Sequence, residues 1–321
     1  MTRTITVLAM GGTISTSAFP DGALPVLGAE RLAGDLGVSA DVVVRARDVV
    51  KISGRGITLQ NMWDLARMIE EEIDAGADGI VVTHGTDTLE ETAYALALLL
   101  DTAVPVVITG AMRVPGTPGA DGPANMNAAF AVAQNPEFAP FGPVVVFQDE
   151  IHLARWATKT HSARVAAFSS PAAGPVGHVV EGRAIAFSGP PAYQDTLPST
   201  APPDKRVELL MAVAGADGMI VDAIAGHLDG LVVAGTGGGH VAPPFAKSLI
   251  DLAQAGLPVV LASRCADAQV LERTYGGPGS EVDLLGNGIH PAGNLSAIKA
   301  RLRLAFGLSA GHSAAELFPR G

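Results

Sequence analysis

Three short apolar runs of the chain each end in glycine and hydroxyl-bearing residues, a combination that can hold a ligand or attack one. The three endings are Gly11-Gly12-Thr13, Thr83-His84-Gly85-Thr86-Asp87 and Thr109-Gly110-Ala111-Met112-Arg113. Glycine lets a ligand approach the backbone closely, and an activated threonine hydroxyl can act as a nucleophile. Gly-Gly-Thr alone has little specificity, and by itself it favours a plain turn over a functional site.

Phosphate and nucleic-acid binding are disfavoured by motif and charge. No lysine follows the Gly-Gly pair as a P-loop requires, and GTGGGH at 235–240 has His240 where a dinucleotide fingerprint needs glycine. The chain carries 21 Lys and Arg against 32 Asp and Glu, a net charge of −11. An acidic protein without a basic run does not suit a phosphate backbone. One cysteine, Cys265, excludes an intrachain disulfide and a thiolate metal cluster.

Asp87 and Lys159 are candidate charged groups of a site. Two overlapping capping boxes, Asp87 with Glu90 and Thr88 with Glu91, begin the helix predicted at 87–100. If Thr88 caps the helix, the Asp87 carboxylate is left to bind an ammonium group; otherwise Asp87 is the cap. Lys159 lies between two threonines and could act as a general base if desolvated, or could be a solvated surface group.

The elements that position these residues form an α/β pattern. Buried-strand runs are predicted at 5–10, 79–85, 104–111, 143–149, 228–235 and 257–264, with helix-period stretches between them. Ligands of such sheets bind beyond the carboxyl ends of the strands. We predict a larger N-terminal α/β domain at 1–187, a proline-rich linker at 188–206, and a smaller C-terminal α/β domain at 207–321. The larger domain is expected to hold a flavodoxin-like, mostly parallel sheet with flanking helices.

The motifs together resemble the bacterial-type L-asparaginase family. The matching stretches are GGTI at 11–14, THGTDTLEETAY at 83–94, GAMR with ADGPAN at 110–125, and ATKT at 157–160. The resemblance implies hydrolysis of L-asparagine to L-aspartate and ammonia through a threonine acyl-enzyme, with no metal or organic cofactor. Alternatives are a glutaminase-asparaginase, another acyl-amide hydrolase, or a non-catalytic amino-acid-binding protein on this scaffold. An amidotransferase subunit is less expected, because the chain begins directly on the motif strand.

The resemblance also implies roles for individual residues. Thr13 would be the nucleophile, Thr86 and Lys159 a second hydroxyl–base pair, and Asp87 the partner of the substrate ammonium. Backbone N–H groups of Gly12 and Thr86 would stabilise the oxyanion. The expected catalytic residues are Thr13, Thr86, Lys159 and Asp87, and the expected substrate-binding residues are Gly12, Ser53, Gly54, Arg55, Gly85, Ala111 and Glu281.

Three positions depart from the family pattern. The segment 16–32 lacks the family's loop tyrosine, for which Ser15, Thr16, Ser17 or Lys159 could substitute. Gly54 stands where the family has a serine for the substrate carboxylate, and we expect Arg55 beside it to bind that carboxylate directly. Gly238 stands where family members often have an asparagine.

Glu281 bears on assembly. By resemblance it would reach the active site of a neighbouring subunit, which implies a homo-oligomer, a dimer or a tetramer; an ordinary surface acid is the alternative. The apolar stretch at the N-terminus is too short for a secretory signal, and 93–100 is too short to cross a membrane. We therefore expect a cytoplasmic protein that has a small amino-acid amide as substrate and no nucleic-acid or membrane partner.

Overall fold

The computed structural model describes residues 2–19, 22–25, 28–34, 41–192, 194–267 and 269–320. These residues form two compact units, Met1–Thr196 and Leu197–Gly321. Part of the segment 16–32 and all of Tyr193 lie outside the described residues. No helix of the described chain combines the length and the apolarity that crossing a membrane requires.

The first unit contains the following elements within its described residues. Its strands are β1 (Arg3–Gly11), β2 (Thr16–Phe19), β3 (Gly22–Pro25), β4 (Val42–Ile52), β5 (Gly79–Thr83), β6 (Val106–Thr109), β7 (Val144–Phe147), β8 (Glu150–Leu153), β9 (Thr158–Lys159), β10 (Phe168–Ser169), β11 (Gly177–Val180) and β12 (Arg183–Ala186). Its α-helices are α1 (Ala29–Gly34), α2 (Leu59–Asp74), α3 (Leu89–Leu99) and α4 (Gly122–Ala133).

The main sheet of this unit has the order β12-β11-β8-β7-β6-β5-β1-β4. Its parallel part, β4-β1-β5-β6-β7, is paired in the 2-1-3-4-5 order of flavodoxin-like folds. Strands β8, β11 and β12 extend it with antiparallel pairs, so the sheet as a whole is mixed. The predicted flavodoxin-like α/β fold is thus confirmed, with an antiparallel extension that the apolar runs did not indicate.

The inner parallel strands β1, β5, β6 and β7 are buried on both faces because helices cover them. Along β5, every residue from Gly79 to Thr83 is buried. Ala129 and Phe130 of α4 pack with Val81 and Val107 on one face. The α2 helix begins at a complete capping box, in which Thr58 and Asn61 exchange side-chain and backbone hydrogen bonds. A sheet covered in this way has its open end at the carboxyl termini of its strands.

The second unit is smaller and also α/β. Its strands are β13 (Val207–Met211), β14 (Gly230–Gly235), β15 (Val259–Ser263) and β16 (His290–Pro291), and its helices are α5 (Met219–Ile224), α6 (Pro243–Gln254), α7 (Glu281–Gly286), α8 (Ala297–Ser309) and α9 (Ala314–Leu317). The strands pair in chain order, and all three pairings are parallel. The described structure thus confirms the predicted second α/β domain.

Candidate active site

Three glycines bring the carboxyl ends of β1, β4 and β5 into direct backbone contact. Gly12 has φ of +83°, and a Cβ there would overlap Gly85 Cα and lie 2.9 Å from the His84 carbonyl carbon. A Cβ at Gly85 would lie 2.7 Å from the Gly54 nitrogen. Gly12 N–H also donates to the Ile52 carbonyl at 3.1 Å. Only glycine permits this packing, which places Thr13 and Thr86 directly after two touching residues.

Thr13 begins a short 3-10 helix, Thr13–Ser15, and is half-buried. Its hydroxyl has no hydrogen-bond partner among the described residues, whereas its carbonyl accepts from Thr16 Oγ1 at 2.7 Å. The neighbouring Ser15 Oγ is buried and likewise lacks a partner within the described chain. Of the residues that could replace the loop tyrosine, Thr16 is therefore committed to the Thr13 carbonyl. Ser15 is buried two residues after Thr13, and the side chain of Ser17 lies outside the described part.

Lys159 joins the second hydroxyl to a carboxylate. Its Nζ donates to Thr86 Oγ1 at 3.0 Å and to Asp87 Oδ1 at 2.8 Å. Thr86 is buried, the Lys159 side chain is 15% exposed, and the Asp87 side chain is 61% exposed. The structure thus brings together the predicted Thr86–Lys159 pair and leaves the adjoining carboxylate open to a ligand. The alternative in which Lys159 is a solvated surface group is wrong.

Glu90 holds the segment that carries Lys159, a feature missed by the sequence analysis. Its buried carboxylate accepts from Thr158 Oγ1 and, at 3.3 Å, from the Lys159 backbone N–H. Strand β9 pairs with β10, where Phe168 lies opposite Lys159. The sequence pattern assigns Glu90 only to a capping box with Asp87. In the structure Glu90 instead binds the segment that carries Lys159.

His84 fixes the loop between β5 and α3 from inside the protein. The ring is fully buried, with Nδ1 2.8 Å from the Gly85 carbonyl and Nε2 2.9 Å from Thr92 Oγ1. A carbonyl can only accept, so Nδ1 carries the proton and Nε2 accepts from Thr92. Burial lowers the pKa of His84 to about 4, against a hydrogen bond to Gly85 that raises it. The imidazole is therefore neutral at pH 7.

The start of α3 corrects the predicted capping. Thr88 is the N-cap residue, but its side chain does not cap the helix. Its hydroxyl instead donates to the Gly54 carbonyl at 2.7 Å. The capping box with Glu91 is therefore not formed, because the Thr88 hydroxyl ties the loop after β4 to the loop after β5. The Asp87 carboxylate was nevertheless expected to be left for another partner, and its contact with Lys159 agrees with that expectation.

The loop after β6 is held by Asp121, which precedes α4. The Asp121 carboxylate accepts from the backbone N–H groups of Met112 and Arg113, at 2.9 Å in its shorter contacts. Asn125 donates to the Gly110 carbonyl at 3.0 Å. Ala111 lies between these anchors and is fully buried, so its contribution to a ligand site is through the backbone or the shape of the wall.

Ser53, Gly54 and Arg55 form the turn after β4. Ser53 is half-buried at the N-cap of the 3-10 helix Gly54–Gly56. A Cβ at Gly54 would lie 3.1 Å from the Gly85 carbonyl oxygen, which explains why a serine does not fit here without displacement. Arg55 is exposed, and its guanidinium has no ion pair within the described part of the chain. The carboxylate-binding role of Arg55 stays a prediction.

Glu281 lies in the second unit, where the structure gives it a role that the sequence analysis missed. Its fully buried carboxylate accepts from the backbone N–H groups of Thr274 and Tyr275 at 2.8 and 2.7 Å and contacts His240 Nε2 at 2.9 Å. Burial opposes ionisation, but these hydrogen bonds outweigh it and lower the pKa of Glu281. The interpretation as a surface acid is wrong, because both oxygens are engaged inside this unit.

Comparison with known proteins identifies the group to which these features belong. Residues 4–193 match the family model described as Asparaginase, N-terminal, and residues 206–318 match the Glutaminase/Asparaginase C-terminal domain. A probable L-asparaginase of Deinococcus radiodurans is 38% identical over 94% of this chain and 92% of its own length. A glutaminase-asparaginase of Pseudomonas fluorescens biotype A is 36% identical over 81% of this chain and 75% of its own length.

Two further matches show how broad the group is. A component of the glutamyl-tRNA(Gln) amidotransferase of Halobacterium salinarum is 32% identical over 95% of this chain and 75% of that protein. The crystal structure of a probable cytoplasmic L-asparaginase from Campylobacter jejuni superposes with a TM-score of 0.86, at 30% identity and 98% coverage of both chains. The two family models together cover most of both α/β units, including the strand ends described above. This chain therefore belongs to the asparaginase family of amidohydrolases.

Proposed function

We propose that the protein hydrolyses L-asparagine to L-aspartate and ammonia, with Thr13 as the nucleophile. The observation that supports the proposal is the backbone contact between Gly12 and Gly85, the residues that immediately precede Thr13 and Thr86. One hydroxyl can then form the acyl-enzyme while the second guides the water that hydrolyses it. The exposed Asp87 carboxylate, which follows Thr86 after β5, would bind the substrate ammonium.

The reaction divides into two balanced steps. Thr13 Oγ attacks the side-chain amide carbonyl, its proton passes to the amide nitrogen, and ammonia leaves as the ester forms. Water then attacks the ester, giving the carboxylic acid and restoring the Thr13 hydroxyl. Backbone N–H groups of Gly12 and Thr86 would stabilise the oxyanion, because the negative charge develops on the former amide oxygen. In support of this role, His84 holds the peptide that contains the Thr86 N–H.

Ammonia release from asparagine and glutamine tests the proposal. We expect release from asparagine and a loss of about 10³-fold or more in Thr13→Ala, since removal of a nucleophile disables the whole unit. Thr102→Ala is the control, because its hydroxyl serves only a turn before β6. Activity that survives Thr13→Ala contradicts the assignment of the nucleophile. Absence of release from either amide by the unmutated protein favours the amino-acid-binding alternative.

Glutamine hydrolysis is the second candidate activity. The match to a glutaminase-asparaginase supports it, and the same residues would perform it on a side chain longer by one methylene. A ratio of kcat/KM values for the two amides separates the candidates. Comparable values identify a glutaminase-asparaginase, and a large excess for asparagine supports the first proposal.

We also propose that the protein is a cytoplasmic homo-oligomer. The cytoplasmic location is supported by the similar structure from Campylobacter jejuni, which is that of a probable cytoplasmic L-asparaginase. Exposed apolar side chains in the second unit support assembly. Met211 ends β13, Val213 lies two residues further on, and Met219 and Ile220 begin α5. Exposed apolar side chains that form a contiguous patch are typical of protein interfaces, and we propose that these four form one.

A further inference from the structure

The β9–β10 ribbon, residues 158–169, carries Lys159 but does not belong to the main sheet. Among the described residues, β9 pairs with β10 alone, and the two form a separate antiparallel sheet. An isolated two-stranded ribbon is at best marginally stable in water. Side chains that tie the ribbon to the rest of the unit must therefore fix its position, and with it the 3.0 Å contact between Lys159 Nζ and Thr86 Oγ1.

Two of these ties act on opposite strands of the ribbon. Glu90 of α3 holds β9, as described above. In β10, the Phe168 ring packs on Phe147 at the end of β7, with the ring centroids 4.8 Å apart. Apolar packing is non-directional, so this contact holds β10 against the main sheet without fixing where along the sheet it sits.

A contact between His152 and Ser170 supplies the directional tie at β10. The backbone of His152 is paired with Val145 inside the main sheet, and its ring is fully buried. His152 Nδ1 lies 3.0 Å from the hydroxyl oxygen of Ser170, the first residue after β10, which is also buried. A strand of the main sheet is thereby joined to the ribbon by one buried hydrogen bond.

The surroundings of His152 decide which atom donates in this bond. The charged and titratable groups that face the ring are Glu150, whose Oε2 lies 3.2 Å from Nε2, and His178. Burial lowers the pKa of His152, against Glu150, which raises it, so the ring is neutral at pH 7 and has one N–H group. The carboxylate attracts that proton to Nε2, and Nδ1 then accepts from the Ser170 hydroxyl.

We propose that His152 is a positioning residue, which fixes the β9–β10 ribbon through Ser170 and so holds Lys159 against Thr86. For its kinetic consequence the inference rests on the proposed function. It also assigns a purpose to the antiparallel extension of the main sheet, because β8 is the rigid strand to which the ribbon is attached. His152 touches no reacting atom, but a displacement of the ribbon by about 1 Å is enough to reduce a rate by about 10²-fold.

Kinetics of variants at both ends of the bond test the positioning role. His152→Leu removes the acceptor, whereas His152→Asn places an amide oxygen near the position of Nδ1. We expect His152→Leu to lower kcat for asparagine by about tenfold or more, with KM changed by less than about twofold, and His152→Asn to recover most of the loss. Ser170→Ala should lower kcat as much as His152→Leu, and the double variant no further, because both residues act through one bond.

Hydrogen exchange of the segment 158–169, read by mass spectrometry, tests the tie without any need for activity. We expect faster exchange there in His152→Leu and in Ser170→Ala. Thr6→Val is the matched control, because the Thr6 hydroxyl donates to Glu72 at 3.1 Å in another buried hydrogen bond of the same unit. The control should lose stability but keep both kcat and the slow exchange of the ribbon.

The outcomes separate this inference from the proposed function. Unchanged exchange of the ribbon in both variants overturns the tie, and faster exchange with unchanged kcat overturns the positioning role. Equal losses of kcat in Thr6→Val and His152→Leu, without recovery in His152→Asn, would show a contribution to stability alone and also overturn it. Absence of ammonia release by the unmutated protein contradicts the proposed function, and the exchange measurement still decides whether His152 holds the ribbon.

Discussion

The neutral His84 illustrates how a single buried residue can set the geometry of a neighbouring peptide. Its Nδ1–H group donates to the Gly85 carbonyl, and that carbonyl belongs to the same planar peptide as the Thr86 N–H. Fixing one side of the peptide therefore fixes the direction of the other. The residue touches no reacting atom in the proposed mechanism, so it is a positioning residue.

Two isosteric substitutions at His84 should separate its two hydrogen bonds. Asparagine places an N–H group where Nδ1 lies, and glutamine places one near Nε2, so His84→Asn keeps the bond to Gly85 and His84→Gln loses it. We expect His84→Gln to lower kcat by about 10-fold or more with little change in KM, since a bond of ~1.5 kcal/mol orients the oxyanion donor. Steady-state kinetics of the two variants check this. Equal kcat values for both variants would contradict the positioning role.

The low pKa of His84 also predicts an acid-sensitive contribution to stability. The folded protein keeps the ring neutral down to about pH 4, whereas the unfolded chain protonates it near its ordinary value of 6.5. The contribution is therefore complete above pH 6.5 and is lost as the pH falls toward 4, by up to about 3 kcal/mol. Denaturant unfolding at pH 7 and 4.5 should show a smaller pH dependence for His84→Asn than for the unmutated protein. Equal pH dependence would show that the ring is not neutral in the folded state.

Glu281 should be important for stability within the second unit. Glu281→Ala removes the shared acceptor of the Thr274 and Tyr275 N–H groups and empties the fully buried site of the carboxylate, and should cost about 2 kcal/mol of unfolding free energy. Glu281→Gln keeps an oxygen for both donors and should cost less. Glu316→Gln on α9 is the control, because that exposed carboxylate bonds only to Ser313. Denaturant unfolding of the three variants checks the order, and a cost for Glu281→Ala no greater than that of the control would contradict it.

At the scale of elements, the site depends on how closely the strand ends of β1, β4 and β5 approach. Gly12→Ala should abolish activity and cost several kcal/mol of stability, because its Cβ would overlap Gly85. Gly76→Ala is a matched control: Gly76 has φ of +88°, close to the +83° of Gly12, but open space around it. The control should cost about 1 kcal/mol for backbone strain alone. Activity assays and thermal unfolding of both variants distinguish overlap from strain, and equal losses would mean that strain alone matters.

The elements recovered from the sequence are those whose burial is complete. The apolar runs of β1, β5, β6, β14 and β15 are buried throughout most or all of their length, so the sequence alone indicates them. Strand β4, with the sequence VVVRARDVVKI, was missed because it lies at the sheet edge and its charged side chains reach solvent. The antiparallel hairpin of β11 and β12 was missed for a similar reason, since its residues are mostly short of full burial.

Site residues that belong to a sequence motif could be predicted, whereas residues whose role depends on packing between distant loops could not. Thr86, Asp87 and Lys159 could be grouped because each matched a family motif. The roles of Glu90 and Thr88 depend on contacts between loops distant in sequence, and their local spacing indicated capping instead. Glu281 was assigned by motif to a subunit contact, whereas its bonds to the 274–275 backbone follow from the fold of the second unit.

At the scale of the whole molecule, assembly is the property to measure. A charge placed in the exposed apolar group of Met211, Val213, Met219 and Ile220 should weaken an oligomer built on this surface. We expect Met219→Glu to shift the sedimentation coefficient toward a smaller species and to make activity dependent on protein concentration. Gln254→Glu at the C-terminal end of α6 is a control of equal charge change. An unchanged sedimentation profile would place the interface elsewhere.

The contacts of Gly85 with Gly12 and with Gly54 have a consequence for laboratory evolution of this enzyme. A side chain on Gly12 or Gly85 would need space that the neighbouring backbone occupies, whereas a Cβ on Gly54 would lie 3.1 Å from the Gly85 carbonyl oxygen and would require a smaller shift. Random libraries aimed at new amide substrates will therefore lose function when they vary Gly12 or Gly85. Diversity is better introduced at exposed Arg55 and around Asp87, where a changed side chain extends into solvent.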